Sequence, residues 1–265
     1  MAIIDKLKRK FSEFQQADDK LAWLSDYAKF RYFAYRHQRE RPVNLAFDRL
    51  HNVETADELP LESVGVSQAD AARGNSIYRP LTEKVFRAAI ASIEIDIPEF
   101  TFVDIGSGKG KVLFMASDLP FKRIVGVEYA VGLHDVAVRN VSTFRSKTQK
   151  CDRLEPIHAD ALEHPLPAGA LLLFIFNALP KAVMRQFLER LDAEAGAQPD
   201  RPIVLIYTNL RSVKEVGNVF SGLENLQFVH LVRNYVVIAN DAPGTPRPDA
   251  SLAAALDEEM SAPYV

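Results

Sequence analysis

The sequence predicts an α/β protein: a mostly parallel sheet with helices on both faces, an antiparallel C-terminal hairpin, and a preceding N-terminal helical extension. Three observations carry that expectation. Between Thr101 and Thr208, short apolar runs alternate with stretches of helical period, as in a sheet buried on both faces. Gln227 to Val232 and Tyr235 to Ala239 are strand-like runs separated only by Arg233-Asn234, too few residues for a helical crossover, so they pair antiparallel. From Ile3 to about Arg39, apolar residues recur at helical spacing.

The extension reads as two helices. Ile3, Ile4, Leu7, Phe11 and Phe14 share a face of the first, and Leu21, Leu24, Ala28, Tyr32 and Tyr35 a face of the second. The break at Ala17-Asp18-Asp19 suits a helix start through capping and the dipole, and Pro42 follows the second helix. Val43 to Asn75 has no sustained period and reads as an ordered but irregular connection, so residues 1–75 form the extension and its linker. A helix returns from Leu81 to about Ile93 with Val85, Phe86, Ala89, Ile90 and Ile93 on one face. Parallel strands are expected at Thr101–Ile105, Arg123–Glu128, Leu154–His158, Leu171–Phe176 and Pro202–Thr208. Helices fall at Lys111–Asp118, Gly132–Phe144, Pro180–Ala193 and Val213–Phe220, completing a domain over 76–240. The tail, 241–265, is rich in Pro, Ala, Asp and Glu, lacks a long apolar face, and is expected to be mobile.

Bulk chemistry narrows the function. A net charge of -3 gives no global positive field for nucleic acid or an anionic membrane. Cys151 is the only cysteine, which excludes an intrachain disulfide and a CxxC metal site and fits a reducing, cytoplasmic compartment. No apolar run is long enough to span a bilayer, and Met1 to Lys10 alternates apolar with charged residues, unlike a signal peptide or anchor. The aromatic and basic stretch from Trp23 to Arg36 suits either packing over the sheet or a phosphate-bearing partner.

The chemistry concentrates at strand ends. Phe102-Val-Asp104-Ile-Gly106-Ser107-Gly108-Lys-Gly110-Lys111 runs from an apolar strand through alternating glycines into a helix. Glycines there permit positive φ and bring bare backbone close to a ligand, while the helix start offers free N–H groups. A dinucleotide site reads GxGxxG and lays pyrophosphate on the helix start, whereas this loop reads GxGxG and begins with an acid that repels phosphate and suits a ligand ammonium. A P-loop needs four residues between its first glycine and Gly-Lys-Ser/Thr, which are not present. Glu128 ends the second strand, where a carboxylate accepts from both hydroxyls of a ribose, and Asp160 with Ala161 follows the third, suited to an adenine edge. Asn177 ends the fourth strand, where it would orient a reacting acceptor. Each has a plainer alternative: a tight turn for the glycines, helix capping for Glu128 and Asp160, a turn for Asn177, and core packing for Tyr78.

Taken together, these residues resemble the class I, Rossmann-like S-adenosylmethionine-dependent methyltransferases, whose seven-stranded sheet also ends in an antiparallel hairpin. Phe47-Asp-Arg-Leu-His-Asn-Val-Glu-Thr55, Tyr78-Arg-Pro-Leu-Thr82 and the glycine loop are similar to a group of largely uncharacterised bacterial members, distantly similar in the loop to histone-methylating enzymes. The resemblance implies S-adenosyl-L-methionine as cofactor. It places Asp104, Gly106, Ser107, Gly108 and Gly110 around the methionine part, Glu128 at the ribose, Asp160 and Ala161 at the adenine, and Tyr78 over the methionine end, with Tyr129 also among the cofactor-binding residues. It also makes Asn177 the catalytic position, beginning an Asn-Pro-Phe-like turn that here reads Asn177-Ala178-Leu179. The missing ring argues against methylation of a flat amino nitrogen. No metal is implied; the acceptor is left open among small molecule, protein and RNA, His134 and His158 are the nearest candidate bases in sequence, and the first 75 residues are expected to act as a lid or acceptor platform. The competing readings are an NAD-dependent oxidoreductase, disfavoured by GxGxG and the hairpin, and a cofactor-binding scaffold or sensor without catalysis.

Overall fold

A computed structural model describes residues 35, 38–67, 77–176, 178–208, 219–232 and 235–247. The chain divides into two compact units, Met1–Ala46 and Phe47–Val265. In the first, the predicted helices before Tyr35 lie outside the described residues.

Residues 38–51 are helical, so Pro42 does not end the helix as the sequence suggested, and residues 43–51 are not part of an irregular connection. In the second unit the reason is visible in the spacing: Phe47 and Asp48 are buried and His51 half-buried, one turn apart on one face. His51 stacks on Phe47 and Phe144, with ring centroids 4.4 Å and 5.5 Å away. Asn52, at φ 57°, then turns the chain. Asp48 closes the turn, its carboxylate accepting the Thr55 N–H and hydroxyl, each at 2.6 Å, and the Ala56 N–H at 2.7 Å.

A short hairpin follows, which the sequence did not reveal: β1 (Leu59–Pro60) pairs antiparallel with β2 (Ile77–Tyr78), with a 3-10 turn at Leu61–Val64. Two-residue strands carry no readable period. Beyond it lie α1 (Glu83–Ala91), β3 (Phe100–Ile105), α2 (Lys111–Ala116), β4 (Arg123–Glu128), α3 (Val131–Thr143), β5 (Leu154–His158), β6 (Ala170–Phe176), α4 (Lys181–Ala197), β7 (Ile203–Thr208), β8 (Gln227–Val232) and β9 (Tyr235–Ala239). The seven long strands fall where the apolar runs predicted them; the expected helix at 213–220 lies mostly outside the described residues.

These strands form one sheet in the order β5-β4-β3-β6-β7-β9-β8. The five from β3 to β7 are parallel, and β9 runs antiparallel between β7 and β8, with an irregularity at Phe228/His230. Alternate residues build two cores. Phe102, Ile124, Phe174 and Ile206 face one side with Phe86 of α1 and Phe114 of α2, while Val103, Ile105, Leu173 and Leu205 face the other with Phe187, Leu188 and Leu191 of α4. Both faces of the central strands are thus covered, and β3, β6, β7 and β9 read as apolar runs for that reason. No helix among the described residues is long and apolar enough to cross a membrane.

Two polar ties fix the C-terminal part. Asn240 accepts the Ile203 N–H at 2.9 Å, and Thr245 donates to the carbonyls of Asn240 and Ala242, so the start of the expected tail is a docked turn with Ala242 and Thr245 buried. Asp192 of α4 accepts the N–H groups of Glu224, Asn225 and Leu226 at 3.1, 2.9 and 2.9 Å. Burial works against its charge, but the bonds from Asn225, Glu224 and Leu226 together outweigh it and hold the carboxyl below its ordinary range. A folded pKa below the unfolded one contributes stability above the unfolded value that is lost as pH falls through the folded one. Asp192→Ala leaves these N–H groups without an acceptor and is expected to cost roughly 1–3 kcal/mol in urea unfolding at neutral pH, with a smaller difference in acid.

Candidate functional site

Chain order reverses between β3 and β6, so the connections leaving their carboxyl ends diverge and open a crevice. It measures about 710 Å³, within the range of a small-molecule site. Tyr78, Asp104, Gly106, Ser107 and Gly108 line it, as do Glu128, Tyr129, Asp160 and Ala161. Gly110 stands back from the surface at φ 85° and donates to the Ser107 carbonyl at 2.9 Å, turning the loop into α2. Asn177 lies outside the described residues; its neighbours Phe176 and Ala178 line the crevice.

The glycine loop is stitched to the end of β4. Gly106 and Ser107 donate their N–H groups to the Val127 carbonyl at 2.8 and 3.1 Å. Glu128 accepts the Gly108 N–H at 2.7 Å on one oxygen and the Ala130 N–H at 2.8 Å on the other, which leaves lone pairs on both for a ligand. Gly108, at φ 54°, lies beneath Tyr78: a Cβ there would sit 2.4 Å from the ring. Gly106, at φ 74°, faces Ala178.

Charge in the crevice is held under tension. Asp104 is 2% exposed, and its Oδ2 has no hydrogen-bond partner among the described residues. Burial first, and the Glu128 charge second, push its pKa well above the carboxylate range. Burial likewise raises Glu128, against the N–H groups of Ala130, Gly108 and Tyr129 and the His158 charge. Ser107 Oγ is also buried without a partner among the described residues. Lys111 lines the same crevice, its ammonium 4.9 Å from the Phe47 ring centroid.

Asp160 shapes the loop after β5. Its Oδ1 accepts the Leu162 N–H at 2.8 Å, and its carbonyl accepts from Glu163 and His164. No helix starts at Asp160, so the expected alternative of helix capping does not apply; one oxygen instead stabilises the turn at 161–163. Arg190 of α4, which the sequence did not single out, fixes this loop by donating to the carbonyls of Ala161, Leu162 and His164 at 2.9, 2.8 and 2.6 Å.

A cover closes the other side. Leu59, Leu61, Val64, Val66 and Tyr78 pack on Ala130 and Leu133, and Gly132 lets Val64 approach, since a Cβ there would meet its backbone and side chain at 3.0 Å. The Tyr78 hydroxyl donates to the Thr55 carbonyl at 3.1 Å. Burial, then the charges of Asp48, Glu128 and Asp104, hold its phenol well above its usual pKa.

His134 and His158 have ring centroids 5.6 Å apart, and neither lines the crevice. Lys109 was missed at the sequence level: nothing in Gly-Lys-Gly distinguishes a solvated lysine from the fully buried one found here.

No family model matches the chain, and no protein of curated function matches it. Solved structures do. The mitomycin 7-O-methyltransferase MmcR aligns at 19% identity over 60% of this chain and 53% of its own, TM-score 0.40, so the chain spans little over half of that protein. The glycopeptide N-methyltransferase MtfA, complexed with S-adenosyl-L-methionine, aligns at 10% identity over 61% of this chain and 87% of its own, TM-score 0.46. An RNA methyltransferase from Salinibacter ruber, complexed with S-adenosyl-L-homocysteine, aligns at 18% identity over 63% of this chain and 96% of its own, TM-score 0.42. Judged by its own strand order, with an antiparallel strand inserted beside β7, the chain has the Rossmann-like sheet of the class I methyltransferase fold.

Proposed function

We propose that the chain binds S-adenosyl-L-methionine in this crevice and directs its methyl group to an acceptor by in-line displacement. The observation that carries the reading is the Asp104 carboxyl: without a partner on Oδ2 among the described residues, and raised by burial and then by the neighbouring Glu128, it favours a cationic ligand. A pyrophosphate in the same place would add negative charge beside Asp104 and Glu128, which weighs against a nicotinamide dinucleotide.

In this reading Asp104 meets the ligand ammonium, the loop from Gly106 to Gly108 lies against the methionine chain, and Tyr78 covers it. Glu128 accepts from the ribose hydroxyls with its remaining lone pairs, and the Asp160–Ala161 loop, held by Arg190, takes the adenine. The bound cofactor supplies an already activated leaving group, its sulfonium. What remains for the chain is alignment and exclusion of water. Leu81, Val112, Phe176, Leu179 and Val183 give the crevice apolar walls suited to that, and the role of orienting the acceptor falls, in this reading, to Asn177, which directly follows β6 in the sequence.

Titration calorimetry with S-adenosyl-L-homocysteine, run beside NADH, tests the reading. Binding of the former alone is expected; no heat and no thermal shift at millimolar ligand rejects it. Glu128→Gln, which keeps the shape but loses charge-assisted acceptance from the ribose, is expected to weaken binding by about 10- to 100-fold. Labelled cofactor offered with the protein, nucleic-acid and metabolite fractions of a lysate then identifies the acceptor class.

A further inference from the structure

Lys109 stands between Gly108 and Gly110, and its side chain is 1% exposed. Its Nζ donates to the Asp57 carbonyl at 3.2 Å, lies 3.8 Å from Glu54 Oε1, and sits 5.3 Å from the Tyr78 ring centroid. Glu54 is itself 71% exposed, so the pair is loose and one-sided. Burial lowers the ammonium's pKa, with Glu54, Asp57 and Asp48 opposing. An ammonium kept this way costs stability that an apolar side chain of similar volume would not.

Everything the ammonium touches belongs to the cover. Glu54 and Asp57 lead into β1, and Tyr78 ends β2 with its ring on Gly108. On its backbone side, Lys109 offers its carbonyl to Asn140 of α3 at 2.9 Å, and the same Asn140 accepts the Glu54 N–H at 2.8 Å and donates to the Glu54 carbonyl at 3.1 Å. Glycine loop, cover and α3 therefore meet at one residue. Lys109 does not line the crevice.

We infer that Lys109 is a positioning residue: its buried ammonium gathers the Asp57 carbonyl and the Tyr78 ring and so holds residues 54–58 and 77–78 closed over the glycine loop. The identity of what lies beneath rests on the cofactor reading above; the closure does not.

Lys109→Met separates the two. The variant removes the charge and keeps most of the volume. Its melting temperature is expected to equal or exceed that of the parent, since a buried charge is gone. Amides of 54–58 and 77–81 are expected to exchange hydrogen about tenfold faster while those of β3 stay unchanged, and S-adenosyl-L-homocysteine to dissociate about tenfold faster in a displacement experiment, the loss of one desolvated cation–π contact. A lower melting temperature with faster exchange throughout marks a merely structural lysine and overturns the inference. Unchanged local exchange overturns it equally. If the parent protein binds no S-adenosyl-L-homocysteine, the cofactor reading fails by itself, and the exchange pattern still decides whether Lys109 closes the cover.

Discussion

Gly106→Ala is expected to abolish cofactor binding and to cost roughly 2–5 kcal/mol of stability, the sum of left-handed backbone strain and an overpacked contact. The methyl group would sit 2.1 Å from the Ala178 Cβ, and the backbone at this position has φ 74°. Neither side can give way cheaply. Gly106 is tied through its N–H to the Val127 carbonyl at 2.8 Å, and Ala178 lies two residues past Phe176, the half-buried last residue of β6. Gly169 supplies the control, because it has a similar φ of 83° and nothing within 4 Å of an added Cβ. Gly169→Ala should show only the conformational part, about 1–2 kcal/mol, and bind cofactor as the parent does. Calorimetry and urea unfolding on both variants separate contact from strain. Pairing Gly106→Ala with Ala178→Gly should return part of the stability, and no recovery would mean that the clash is not the cause.

Asp104→Asn is expected to move binding and stability in opposite directions. Truncating one member of a buried charge pair typically costs about 2–5 kcal/mol, so affinity for S-adenosyl-L-homocysteine should fall by roughly 30- to several-thousand-fold. The free protein, by contrast, should melt higher at neutral pH. A carboxyl whose folded pKa lies above its unfolded value binds its proton more tightly in the folded state. Stability from that proton is complete below the unfolded value, about pH 3.9, and declines as pH rises through the folded one. The amide carries no such loss, so melting profiles of variant and parent should converge in acid and part towards neutrality. Glu128, raised in the same sense, keeps a weaker slope in both. Binding of a cation would draw the proton off Asp104. Any proton release seen by calorimetry in buffers of different ionisation enthalpy should therefore be smaller with Asp104→Asn than with the parent.

The central strands were legible because they are buried on both faces and so appear as apolar runs; Leu171 to Ile175 is fully buried, and the run says so, whereas the outer strands β5 and β8 are only partly covered and carry polar residues. That Asp104, Glu128 and Asp160 line one crevice was legible because each lies at or just past the carboxyl end of a parallel strand, where such crevices open. Three parts were not. The helix through Pro42 hid behind a residue that usually stops helices, because the burial that continues it, at Phe47, Asp48 and His51, depends on Phe144 arriving from far along the chain. The hairpin of β1 and β2 is too short for any period. Lys109 is buried only because residues 54–58 fold over it, a long-range event that leaves no local mark.

Pro156 lies in the middle of β5, the outermost strand on one side of the sheet, opposite Gly126. Ile124 donates to the Arg153 carbonyl and the Ala159 N–H to the Glu128 carbonyl, so the odd-numbered residues of β5 bond inward and Pro156 presents its nitrogen outward. A strand from a neighbouring molecule arriving there would find a missing donor. On the opposite rim, a register shift at Phe228/His230 interrupts the pairing of β8 with β9, an irregularity of the kind that blunts an edge by distorting it. Both rims are thus poor templates for adding strands, and concentrated solutions should resist the sheet-by-sheet stacking to which open parallel folds are otherwise prone.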